Sequence, residues 1–347
     1  MKIKKKNFPL DRFINYSLYD KKSGYYMKKN PFGKDGDFIT APNISRLFSE
    51  MIAIWVLSFW KSLGSPKEFE LIELGAGNGE MMSVLLESFK NFPKFFKACK
   101  FKIIEKSPSL IKIQKKKLYK NKISWIKNVK NIKKKPTIFL ANEFFDSLEI
   151  KQFTKKKGLW FEKFVHLKNN NKAHFFEKKI NMKNYEKKIR FNISKNQKFI
   201  EYSEPGISYL REISKIIKRN SGGILIIDYG YIENKMKNTL QAISKHKYSD
   251  ILEKIGNADI THNINFKLFQ KIIKHMGGLR YNLTTQKKFL IKMGINERAE
   301  IISRNYNFLK KADLYYRIKR LIDDKQMGNL FKVMLIRNHK NNFKLGF

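Results

Sequence analysis

One cysteine, Cys99, stands among 347 residues. That excludes an intramolecular disulfide and any cysteine-rich metal site. The six histidines are scattered without metal-ligand spacing, so no metal is expected. Long apolar runs are absent as well. The longest, MIAIWVLSFW at 51 to 60, falls short of the roughly 20 residues a bilayer demands and reads as a core helix. The basic N-terminus MKIKKKNFPLDRF lacks the apolar stretch and small-residue cleavage site of a signal peptide. A soluble, cytoplasmic protein without membrane insertion is the expectation.

Acid is the scarcest charge. Thirty Asp and Glu face 73 Lys and Arg, a formal net charge of +43. A surplus of this size attracts polyanions, so nonspecific polyanion binding is expected. Lys far outnumbers Arg, is dispersed along the whole chain, and is accompanied by many Asn and Ile. Sequence-specific nucleic-acid readers favour bidentate Arg, and no aromatic-plus-basic motif appears. Compositional bias with solvated charged faces explains the charge better than a dedicated basic arm.

Glycine is concentrated where it has meaning. Residues 68 to 86, EFELIELGAGNGEMMSVLL, hold an apolar run, then Glu73, Gly75, Gly77 and Gly79, then Met81, Val84, Leu85 and Phe89 at helical spacing. This is a strand, a glycine loop and a helix start. A dinucleotide fingerprint reads G-x-G-x-x-G, to seat a pyrophosphate on the helix N-terminus. The E-x-G-x-G-x-G pattern here suits S-adenosylmethionine, which has no phosphate and carries an amino-acid end that an acidic residue such as Glu73 can meet.

Seven strand candidates follow from buried apolar runs: Phe69 to Leu74, Phe101 to Glu105, Ile123 to Ile126, Thr137 to Asn142, Gly223 to Tyr229, Leu279 to Leu283 and Leu330 to Arg337. Alternation with helical stretches predicts an α/β fold with a mostly parallel sheet and ligands at the strands' carboxyl ends. Residues 1 to 65 read as an N-terminal helical segment, with a helix from about Ser45 to Leu63 and a glycine- and aromatic-bearing loop able to act as a lid. A domain from 66 to 338 then carries two insertions, a β meander at about 150 to 205 and a loop-rich stretch at 231 to 265. A frayed tail is expected at 339 to 347.

Carboxylates recur at the strand ends. Glu105 closes the run FKIIE and is placed to accept hydrogen bonds from two ribose hydroxyls. It lies beyond the spacing of about 20 residues expected of a minimal unit, because NFPKFFKACK lengthens the connection. Asn142, Glu143 and Asp146 follow the central strand, where a carboxylate pair can hold a guanidinium in bidentate fashion. Asp146 has a capping alternative. Asp228 and Tyr229 end the fifth candidate strand and are assigned to the substrate edge, although Asp228 also suits a strand-end turn. Within NADITHNINF, His262 reads as packed or solvated rather than catalytic, and Cys99 as an inert thiol.

These segments together resemble the S-adenosylmethionine-dependent methyltransferases related to mitochondrial complex I assembly factor 7, a protein arginine methyltransferase family. GYY with GDFITAP, ELGAGNG, the stretch from Glu105, NEFFDSL, GGILIIDYG, ADIT, TTQKKFLIKMGI and MGNLFKV carry the resemblance over nearly the whole chain. It implies a class I methyltransferase, Rossmann-like fold whose last strand runs antiparallel. It implies S-adenosyl-L-methionine held by Glu73, Gly75, Gly77, Gly79 and Glu105, with Phe38 and Thr40 closing from the N-terminal loop. Glu143 and Asp146 would face an arginine on the complex I subunit that corresponds to the forty-nine-kilodalton subunit. The chain departs from the family pattern at Ala76, Glu149 and Asn265. An RNA methyltransferase and a noncatalytic assembly chaperone that binds the methyl donor are the alternatives, and a homodimer is compatible with the sequence.

Overall fold

The computed structural model describes residues 6–28, 40–132, 134–168, 172–244 and 247–347. The chain divides into two compact units, each drawn from three chain segments. Residues 30–144, 209–230 and 270–347 make the larger unit, and residues 1–29, 145–208 and 231–269 the smaller.

The larger unit is built on a seven-stranded run of sheet: β1 Phe69–Leu74, β2 Cys99–Ile104, β3 Ile123–Ile126, β4 Thr137–Asn142, β5 Gly222–Tyr231, β6 Leu279–Thr285 and β7 Phe331–Asn338. Their spatial order is β3-β2-β1-β4-β5-β7-β6. The β1–β2, β2–β3, β1–β4 and β4–β5 pairs are parallel. β7 runs antiparallel to both β5 and β6. The expected mostly parallel sheet with an antiparallel last strand is therefore present, with strand bounds within two residues of those read from the sequence.

The runs are continuously apolar because both sheet faces are covered. Phe69 and Leu71, Phe101 and Ile103, Ile138 and Leu140, Leu225 and Ile227, and Val333 and Leu335 alternate onto one face. There they meet helix Arg46–Ser62, whose Phe48, Met51, Ile52, Trp55 and Phe59 are buried in the same cluster. Ser45 caps this helix by accepting the N–H of Leu47 at 3.3 Å. Two rings of the closing stretch are packed. Phe343 packs edge-on against Trp55 and Phe59 at centroid distances of 5.7 and 5.1 Å, and Phe347 meets Phe289 at 5.7 Å. These rings find apolar cover that the polar composition of the tail does not announce.

In the smaller unit the strands Lys6–Pro9, Lys151–Lys156, Leu159–Leu167, Ala173–Ile180 and Phe199–Tyr202 form one antiparallel sheet. The expected meander is its centre, and the turn at Lys157 and Gly158 uses positive φ at both residues. Strands Gln241–Ser244, Lys247–Ser249 and Asp259–Thr261 make a second, small sheet from the 231 to 265 insertion. The helix Leu10–Tyr19, expected within a separate N-terminal segment, belongs instead to this unit.

Candidate active site

Strand order reverses between β1 and β4, which opens a crevice beyond their carboxyl ends. The residues after β1 turn through left-handed backbone, with φ of +64° at Gly75, +53° at Gly77 and +79° at Gly79. Gly75 needs its lack of a side chain twice over, because an added Cβ would also lie 2.8 Å from Cδ2 of Phe144. Its N–H donates to the carbonyl of Ile104 at 2.9 Å, so the loop is tied to β2. Gly79 begins helix Glu80–Phe89, and its N–H closes the turn onto the carbonyl of Ala76 at 2.7 Å.

Glu73, on β1, is 3 % exposed, and its Oε2 has no hydrogen-bond partner among the described residues. Burial, reinforced by the charge of Glu105, pushes its carboxyl up to about 8. Glu105 itself stands one residue past β2. Its Oε1 accepts the N–H groups of Lys106 and Ser107 at 2.8 and 2.9 Å, and Oε2 accepts Nε2 of Gln114 at 3.2 Å. Burial still raises its pKa, because these bonds only partly offset the desolvation.

On the far side of the crevice, Asn142 ends β4 and Glu143 follows with φ +49°. The N–H of Glu143 donates to the carbonyl of Ile227 on β5 at 2.9 Å, which fixes the residue at the strand's end. Oε1 of Glu143 accepts the N–H of Ala41 and the Nδ2 of Asn142, each at 3.2 Å. Thr40 opens the short helix Ala41–Ile44, and its hydroxyl accepts Nδ2 of Asn43 at 2.7 Å. Oδ1 of Asn43 accepts Nδ2 of Asn78 at 3.0 Å, linking this segment to the glycine loop.

These pieces bound a cleft of about 370 Å³ lined by Thr40, Pro42, Asn43, Glu73, residues 75–78, Glu80, Met81, Asn142 and Glu143. Phe38 lies outside the described residues. Asp228 and Tyr229 do not line this cleft. Asp228 is fully buried and its Oδ1 accepts the N–H of Tyr229 at 2.9 Å, while the Tyr229 ring packs on Phe331 at 4.0 Å.

Asp146 belongs to the smaller unit, where it is buried and its carbonyl accepts the N–H of His262 at 3.1 Å. Burial lowers His262 to about 4, so its ring is neutral near pH 7. Tyr26 donates its hydroxyl to both carboxylate oxygens of Asp259 at 2.9 Å. A second cavity in this unit, about 330 Å³, is lined by residues that include Glu201, Tyr202, His262 and Asn265.

The residue that sequence reasoning missed is Gln114. It is fully buried, donates from Nε2 to the carbonyl of Gly77 at 2.9 Å as well as to Glu105, and accepts Nε1–H of Trp125 at 2.8 Å. Its one sequence signal is its position four residues after buried Leu110 on helix Pro108–Lys117. Asn43 and Asn78 were missed as well.

A doubly wound sheet with a glycine loop after its first strand, an acid at the end of its second and a carboxylate across the crevice defines an α/β enzyme of the adenosyl-cofactor, class I methyltransferase type. The chain belongs to the S-adenosyl-L-methionine-dependent methyltransferase family whose model matches residues 51–284. It is 27% identical to the mitochondrial protein arginine methyltransferase NDUFAF7 of Xenopus laevis over 96% of this chain and 83% of that protein. The human NDUFAF7 is likewise 27% identical, over 94% of this chain and 79% of that protein. A Burkholderia thailandensis crystal structure with S-adenosyl-homocysteine bound superposes with a TM-score of 0.83 at 21% identity, covering 98% of this chain and 90% of that one.

S-adenosyl-L-methionine is accordingly the cofactor, and the chain is a methyltransferase. The cleft's residues suit it. Gly75 and Gly77 line the cleft with bare backbone, and Glu73 offers a buried carboxylate oxygen to a cationic amino group. Glu105 does not line this cleft; its Oε2, held by Gln114, is an acceptor past the neighbouring strand. Among the described residues no helix is long and apolar enough to cross a membrane.

Proposed function

We propose that this methyltransferase modifies an arginine side chain of a protein, the respiratory complex I subunit that corresponds to the forty-nine-kilodalton subunit, and so supports assembly of that complex in the cytoplasm. The observation that carries the reading is the Glu143 carboxylate, which lines the cleft with the glycine loop and is held there through its own N–H and one carboxylate oxygen. A left-handed non-glycine residue costs about 1 kcal/mol or more, and such strain gathers at functional sites. The relatives named as protein arginine methyltransferases support the substrate class.

When bound, the cofactor supplies an electrophilic methyl group on a sulfonium that is already a good leaving group. The chain's own residues have the remaining tasks. Glu143 steers a guanidinium nitrogen, whose lone pair is delocalised, through charge-assisted hydrogen bonds and takes up the proton released on methylation. Asn142, which lines the cleft beside Glu143, is assigned as a substrate contact, and Glu73, Glu105, Phe38 and Thr40 with the glycines as the donor site; the positions of Asp146, Asp228 and Tyr229 give them no contact role in this cleft. Holding the two reactants in line in a water-poor cleft supplies most of the acceleration.

Glu143→Gln tests this reading. Methylarginine on complex I, followed by mass spectrometry of cells with and without the protein, should disappear in the variant while cofactor affinity stays near wild type. Methylated RNA with no arginine product would assign the RNA activity instead. Normal complex I levels in the Glu143→Gln strain would assign a noncatalytic chaperone.

A further inference from the structure

The helix Phe308–Ile322 is apolar on two opposite sides. Leu314, Ile318 and Leu321 recur at helical spacing and pack into the core of the larger unit. At about 100° per residue, Phe308, Leu309, Ala312, Tyr315 and Tyr316 fall on the reverse side. There Phe308 is 82 % exposed, Leu309 76 % and Tyr316 64 %. A helix apolar all round is ordinarily buried, and exposed apolar clusters of this kind mark interaction surfaces.

Charge decides what covers the face. The helix carries Lys310, Lys311, Arg317, Lys319 and Arg320 against the single carboxylate of Asp313, which Arg317 engages at 2.7 Å. A second copy of a chain at +43 would oppose like charge to like. RNA would use the dispersed lysines and leave adjacent Phe308 and Leu309 without a role. Apolar side chains flanked by long cationic ones match an anionic bilayer surface, where lysine stems lie along acyl chains and their ammonium groups reach phosphates.

We propose that the outer face of this helix docks the protein peripherally on an anionic lipid bilayer, with Phe308 and Leu309 entering the headgroup boundary and the flanking lysines on lipid phosphates. The full chain should cosediment with vesicles of phosphatidylcholine mixed with phosphatidylglycerol and not with phosphatidylcholine alone. In the double variant Phe308→Ser, Leu309→Ser the partition coefficient should fall about tenfold. Both positions are exposed, so S-adenosylmethionine affinity should be unchanged and serves as the folding control. Undiminished vesicle binding by the double variant would overturn the proposal in favour of diffuse charge attraction. Failure of the wild-type chain to bind anionic vesicles would overturn it outright, and a dimer that the double variant converts to monomer, without vesicle binding, would give the face to a second copy.

Discussion

Nε2 of Gln114 donates to Oε2 of Glu105 at 3.2 Å, so one buried amide braces the acid past β2 against the glycine loop. Gln114→Leu keeps the volume but strands the carbonyl of Gly77 and the indole N–H of Trp125. Each lost buried hydrogen bond costs about 1–3 kcal/mol. Cofactor affinity should fall roughly tenfold by calorimetry, with a lowered thermal midpoint. Wild-type affinity would show that the brace has no part in binding.

Gly75→Ala meets two obstacles, the backbone at φ +64° and the ring of Phe144 at 2.8 Å from the new Cβ. The expected destabilisation is about 1–3 kcal/mol, with cofactor binding reduced in parallel. Adding Phe144→Leu should recover the steric part and leave the backbone part, which denaturant titration of the single and double variants separates. Gly77→Val should abolish binding by projecting a branched side chain from the loop.

Glu73 makes the free protein's stability fall as pH rises. In the folded state burial holds its proton up to about 8, whereas the unfolded carboxyl releases it near the usual value of 4.5. Between those values the folded chain binds more protons, so the derivative of unfolding free energy with pH is negative for this group. Above about 8 both states are ionised and the penalty is complete. A cationic amino group at Glu73 favours the carboxylate, so binding should release a proton and tighten from about pH 6 to 8. Calorimetry in buffers of different ionisation enthalpy measures the release, and Glu73→Gln should remove it.

Phe343→Ala should destabilise the larger unit by about 1–3 kcal/mol through loss of its contacts with Trp55 and Phe59. Chemical denaturation checks it. A neutral result would mean that Phe343 contributes no packing energy.

The sheet is legible in the sequence because each central strand is a short apolar run ended by glycine or a polar residue. Phe69 to Leu74 and Thr137 to Asn142 have the same bounds in the sequence reading and in the fold, and the helix beginning after Ser45 announces itself by its cap. Glu73, Glu143 and the glycines are legible as candidates because they fall at the carboxyl ends of readable strands, where an α/β sheet binds its ligand. Gln114 is not, since a glutamine among lysines looks solvated until its neighbours across the fold are known. Of the smaller unit only the meander is legible, from its local alternation and turns. Lys6 pairs with Leu167 across the sheet, and no local pattern encodes a partner so distant in the chain.

The division of each unit among three chain segments sets an order of completion during synthesis. Residue 269 finishes the smaller unit, while the larger one waits for β7, which inserts between β5 and β6. Until that strand emerges, the edge of β5 offers an open hydrogen-bonding ladder. A chain halted before Phe331 would therefore leave the β5 edge without its antiparallel partner, exposed to strand pairing with another chain.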